Sequence, residues 1–310
     1  MNDIRRSILW VVFGLSMVLI WDKWQIHNGH KPTFFPGAAP AVTAPAASNG
    51  QPAATGNGSV PAAGQAAAPA AAGETPAAAP GAVAQRHEIT TDVFKLVFNS
   101  EGGSLIGAEL LKHAEATRQS KDQSEKPFTL LTQGGEHIYV AQTGLIGGNF
   151  PTHKTPMTLV GNPTALADGQ NELQVRFESA EVGGVKLVKT YTLTRGSYDI
   201  AVQHEVLNNS GQPVSPQLYV QLVRDGNKTS SETPFYSTFT GPAIYSDAAK
   251  YEKVEFEAVD KNKASFQKTA SDGYVAMVQH YFASAWLLGQ GIERENFVSK
   301  VGGLYAAGML

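Results

Sequence analysis

VKLVKTYTLTRGSYDIAVQHEVLN, from Val185 to Asn208, decides the fold class of this chain. Its first ten residues, VKLVKTYTLT, are rich in β-branched and aromatic side chains, which suit a pleated surface. Arg195-Gly196-Ser197 then punctuates the run as a turn. Beyond it, Tyr198, Ile200, Val202, His204 and Val206 alternate with Asp199, Ala201, Gln203, Glu205 and Leu207. A period of two means a strand with one face inward, so the whole stretch is predicted to be an antiparallel hairpin.

The same signature extends in both directions. Leu173, Val175 and Phe177 alternate with Glu172, Gln174, Arg176 and Glu178, and Leu218, Val220 and Leu222 with Gln217, Tyr219 and Gln221. Asp168-Gly169, Gly183-Gly184, Asn208-Asn209-Ser210-Gly211 and Asp225-Gly226-Asn227 separate these runs as turns. Further strands are expected at Ile89 to Phe98, Ser104 to Leu111, His137 to Gln142, Tyr274 to Tyr281 and Ala283 to Leu288. Ala114 to Ser124 fits a short helix or an exposed loop equally well. The prediction is an all-β domain of sandwich type with little helix and no fixed-period repeat.

That domain occupies residues 86–310. Ahead of it, residues 27–85 are read as a disordered linker, because from Pro36 to Gln85 the only charged residue is Glu74 and the rest is mostly Ala, Pro and Gly. Such a segment lacks the apolar side chains needed to offset the entropy of ordering. As a flexible coil, fifty residues reach roughly 40 Å. Deleting Pro40 to Pro80 is therefore expected to leave the melting temperature of the folded domain nearly unchanged in calorimetry, whereas a drop of many degrees would mean that the segment is packed structure.

Residues 1–26 are read as a transmembrane signal anchor. ILWVVFGLSMVLIW, from Ile8 to Trp21, is uncharged, and Arg5 and Arg6 on one side and Lys23 on the other can extend their heads to the interface. Trp10, Trp21 and Trp24 are rings suited to headgroup depth. A cleaved signal would need small residues after the apolar run, and IWDKWQIHNGH supplies bulky and charged ones. The N-terminus is read as inside and the bulk of the chain as outside.

Composition narrows the functional classes. The block from Arg86 onward carries 20 basic against 24 acidic residues, a net charge of −4, which argues against a nucleic-acid partner. The absence of cysteine excludes disulfides, thiol catalysis and thiolate metal sites. His27 and His30 in HNGH have no evident further ligands, so no metal site is expected. The glycine pairs Gly102-Gly103, Gly134-Gly135, Gly147-Gly148 and Gly183-Gly184 lack a following Gly-Lys-Ser/Thr and read as turns and bulges. His204 and Glu205 could be an acid–base pair, but alternation places them on opposite faces, and His204 is expected in the core or on the strand surface. No catalytic residue and no cofactor is assigned. Asn57-Gly58-Ser59, Asn208-Asn209-Ser210 and Asn227-Lys228-Thr229 match glycosylation acceptors.

SDGYVAMVQHYFASAWLL, from Ser271 to Leu288, resembles the large periplasmic domain of the bacterial YidC family of membrane protein insertases. MNDIRRSILWVVFGLSMVLIWDKW at the N-terminus, NSEGGSLIGAELLKH from Asn99, KPFTLL, IYVAQTGLIG, KTYTLTRGSYDIAVQHEVLNNSG from Lys189 and FYSTFTGPAIYSDAAKYEKVEF from Phe235 resemble it in the same order. The resemblance implies a bacterial inner-membrane protein with a first transmembrane helix and a periplasmic supersandwich. It further implies an insertase core of five later helices that works, alone or beside the Sec translocon, without cofactor or nucleotide. The chain ends at Leu310, short of that core, so it is expected to be a fragment, a truncated product or one part of a divided gene. The implied partners are inner-membrane lipid, Sec translocon components and nascent membrane protein clients, and a bacterial protein gives no reason to expect glycosylation. The resemblance also draws attention to Tyr274, His280, Tyr281, Phe282 and Trp286. Aromatics at strand spacing usually belong to a core, but here they are also candidate contacts for an extended peptide or partner strand. The alternative reading is a membrane-tethered, carbohydrate-binding or sugar-epimerising sandwich.

Overall fold

The computed structural model describes residues 84–115, 126–135, 137–227 and 238–310. The anchor with Arg5, Arg6, Trp10, Trp21 and Trp24, nearly all of the linker, and most of Ala114 to Ser124 lie outside the described residues. Among the described residues no helix is long and apolar enough to cross a membrane.

The described chain is built from antiparallel strands. β1 (Arg86–Thr90), β2 (Phe94–Asn99), β3 (Ser104–Ala114), β4 (Pro127–Gly134), β5 (His137–Ile146), β10 (Gln217–Asp225), β13 (Thr269–Ala270), β16 (Arg294–Val301) and β17 (Leu304–Met309) form a nine-stranded sheet in the order β1-β2-β3-β4-β5-β10-β17-β16-β13. β6 (Met157–Val160), β7 (Glu172–Ser179), β8 (Val185–Thr194) and β9 (Ile200–Asn208) form a four-stranded meander in sequence order. β11 (Thr240–Ser246), β12 (Lys250–Lys253), β14 (Tyr274–Gln279) and β15 (Phe282–Leu287) form another, in the order β12-β11-β14-β15. The one described helix, α1, is the single turn Phe256–Asp260.

One core joins the three sheets. Phe98, Leu105, Leu222, Ala307 and Met309 from the large sheet, Phe177, Tyr191 and Leu193 from one small sheet, and Ile244, Val275 and Met277 from the other belong to a single buried cluster. Ile106, Val140, Val223 and Ala306, which alternate with residues of that cluster along their strands, form a separate cluster on the opposite face of the large sheet. Both small sheets therefore rest on the same face of the large one. This three-sheet arrangement is the sandwich expected from alternation, enlarged by the length of the nine-stranded sheet.

Two strand expectations need adjustment. Ile89 to Phe98 is not one strand but the end of β1, a turn and most of β2. Thr91 makes the turn: its Oγ1 accepts the amides of Val93 at 3.2 Å and Phe94 at 3.0 Å. Tyr198 lies just ahead of β9, where its ring meets Phe94 edge-on at 5.2 Å.

Candidate functional site

The hairpin of β14 and β15 carries the five aromatic candidates, and the strand geometry separates them. Val275, Met277 and Gln279 stand opposite Trp286, Ser284 and Phe282 and share their inward face. Phe282 stacks on Phe128 with ring centres 3.9 Å apart and planes at 17°, and meets His113 edge-on at 5.7 Å. Trp286 lies half-buried against the main core, and its Nε1 is buried without a hydrogen-bond partner among the described residues. Tyr274 is on the other face, opposite Leu287, and stacks on Tyr245 at 5.4 Å and 14°.

His280 and Tyr281 make the two-residue turn. His280 takes the left-handed conformation at φ 48°, and its Nδ1 lies 2.8 Å from the Thr238 hydroxyl. Tyr281 projects from the tip, 81% exposed. The five residues thus form two inward anchors, one outward stacked ring and a tip, not one aromatic cluster.

β15 is also the end of its sheet, beyond β14. Among the described residues its main chain bonds to β14 and to no further strand. Its inward side chains fix it to the core, while Ala283, Ala285 and Leu287 face outward, Leu287 being 68% exposed. A held strand with an open edge can pair with another extended chain.

A second constellation escaped the sequence reading. Lys189, in the middle of β8, is fully buried. Its Nζ donates to the carbonyl oxygens of Gly102, in the β2–β3 turn, at 2.6 Å and of Thr143, in β5, at 2.7 Å. Gly102 is required there: its φ is +70°, and a Cβ would stand 2.1 Å from the His153 carbonyl oxygen. His204 lies directly across from Lys189 on β9, with Nε2 2.8 Å from the Thr143 hydroxyl. Tyr191 completes the row by donating to Gly103 O at 2.7 Å. Burial lowers the Lys189 pKa to about 7, and burial together with the neighbouring Lys189 lowers that of His204 to about 3. The row binds the β6–β9 sheet to the large sheet through polar groups inside the core. Glu205 is exposed on the far side of β9, so the His204–Glu205 pair considered from sequence is not assembled.

Among the described residues, three antiparallel sheets, two small ones on the same face of a large one, define the class: an all-β sandwich domain. The family model described as the YidC periplasmic domain matches residues 86–310, and the chain belongs to the YidC family. The chain is similar to the membrane protein insertases YidC of Bordetella parapertussis, 46% identical over 98% of this chain and 54% of the relative, and of Bordetella avium, 49% identical over 95% and 52%. The corresponding Burkholderia ambifaria protein is 45% identical over 99% of this chain and 54% of its own length. The chain thus spans about half the length of the curated relatives it matches. None of these similarities supports a carbohydrate-binding or sugar-epimerising protein.

Proposed function

We propose that these residues are the N-terminal portion of an inner-membrane insertase and chaperone, a non-enzymatic part that holds a periplasmic interaction domain near the membrane. The observation that carries this reading is the family match across the whole sandwich, in a chain whose relatives are named membrane protein insertases. The apolar stretch in residues 1–26 would anchor the chain in inner-membrane lipid with its N-terminus cytoplasmic, and residues 27–85 would give the domain reach. Nascent membrane proteins are the proposed clients, and components of the Sec translocon the proposed partners. The hairpin residues Tyr274, His280, Tyr281, Phe282 and Trp286 are the proposed contact region: Phe282 and Trp286 hold the strand, and Tyr281 meets the partner.

The test is capture of a single-span membrane protein, synthesised in vitro beside liposomes containing this chain. Co-purification of the client with the chain, several-fold above chain-free liposomes, is expected. Recovery equal to that of chain-free liposomes would refute the reading.

A further inference from the structure

Among the described residues the three sheets have six ends, and five are defended. β1, RHEIT, carries Arg86 and Glu88; β12, KYEK, is mostly charged; β9 carries Glu205 near its middle; β13 has two residues and β6 four. Charge and shortness are the devices that keep a sheet edge from pairing with another chain. β15 has neither. It is six residues long, FASAWL, and lies within a run from Gly273 to Ile292 that holds no Asp, Glu, Lys or Arg. Pro, the other common edge blocker, is also absent from that run.

Among the described residues the edge is anchored as well as open. Phe282, stacked on Phe128, and Trp286, set against the core, anchor alternate positions. An incoming strand would therefore meet a template already in its paired conformation and lose little further entropy in ordering it. Outward, Ala283, Ala285 and Leu287 present two small side chains and one large one, with Tyr281 at the tip and Ile292, 52% exposed, just beyond the strand.

We infer that β15 is a strand-docking edge whose occupant is an extended, uncharged, apolar polypeptide segment that adds a fifth strand to the β12-β11-β14-β15 sheet. The charge pattern selects this occupant. Main-chain hydrogen bonds supply affinity without regard to sequence, the small outward residues leave room for varied side chains, and the Gly273–Ile292 run offers a charged segment no Asp, Glu, Lys or Arg to pair with. The inference rests on the proposed function only in naming client segments as the source of such chains.

The experiment measures the edge by itself, apart from client capture at liposomes, so that failure of one is distinguishable from failure of the other. A fluorescein-labelled peptide of alternating Val and Thr, with Gly-Ser flanks, is titrated against the full-length protein in detergent and followed by anisotropy. Binding is expected, with at least a tenfold loss for the double variant Ala285→Lys, Leu287→Lys. Both positions are exposed, so the variant should keep the wild-type melting temperature. A companion peptide with Glu at the outward positions should bind the lysine variant better than the wild type. Equal binding of the neutral peptide to wild type and variant, or no binding to the wild type, would overturn the proposal.

Discussion

Replacing Phe177 with alanine is expected to lower the unfolding free energy of the sandwich by about 3–5 kcal/mol, the usual cost of emptying a fully buried aromatic site. Phe177 has no exposed surface and meets Phe98 at 5.7 Å, His87 at 5.9 Å and Tyr191 at 6.4 Å between ring centres. It therefore fills the seam between the β6–β9 sheet and the large sheet, where partial collapse is resisted from both sides. In a domain of this size each kcal/mol moves the melting temperature by roughly 2–4 °C, so a fall of roughly 6–20 °C should appear in calorimetry. Tyr281→Ala, at the exposed hairpin tip, should move it hardly at all. A small effect at Phe177 would mean that the two sheets are not packed as described.

The second large effect concerns Lys189 and the pH dependence of stability. Its folded-state pKa of about 7 lies below the value of 10.5 for a free lysine. Between these values the unfolded chain holds a proton that the folded chain has released, so stability rises with pH, at up to about 1.4 kcal/mol per pH unit for one proton. Below pH 7 both states are protonated and this contribution is gone. His204, lowered from 6.5 to about 3, adds a rise in the same direction across the acidic window between those values. Lys189→Met should remove the rise between pH 7 and 9.5. It also leaves the carbonyls of Gly102 and Thr143 without this donor, at a cost of about 1–3 kcal/mol each. The gap between wild type and variant should thus be widest at pH 9.5 and narrow towards pH 7. Urea midpoints that run parallel across that range would contradict the buried-lysine account. Above pH 10 the buried hydroxyls of Tyr191 and Tyr219, whose pKa values are raised by burial, act in the opposite sense and set the upper limit of the comparison.

These particulars show what local sequence can carry. β7, β8 and β9 were legible because each keeps one face inward for its whole length, and alternation records that directly. β17, LYAAGM, was not, because it lies within the sheet and five of its six residues are buried, which erases the period. The turn between β1 and β2 was missed because Thr91-Asp92-Val93 contains neither Gly nor Pro, and a threonine side chain does their work.

Lys189 was hidden for a different reason. Its partners are backbone oxygens 46 and 87 residues away in sequence, and no residue pattern announces a carbonyl. The hairpin residues could be found by their resemblance to a family, but their separate orientations depend on the β14–β15 register and on the position of β15 at the end of its sheet. The open edge is a property of topology, whereas its lack of charge can be read from the sequence alone.

Contact between β15 and a client is the most direct measure of the strand-docking edge. A photoreactive phenylalanine analogue placed at Leu287, and in a separate sample at the exposed Asp168 on the β6–β7 connection, would report contact in the full-length protein while a defined single-span membrane protein is synthesised beside it. Cross-linking to that client from position 287, little from 168, and loss of the product when Ala285→Lys is added are the predicted results. No product from 287, or equal yields from the two positions, would contradict the account.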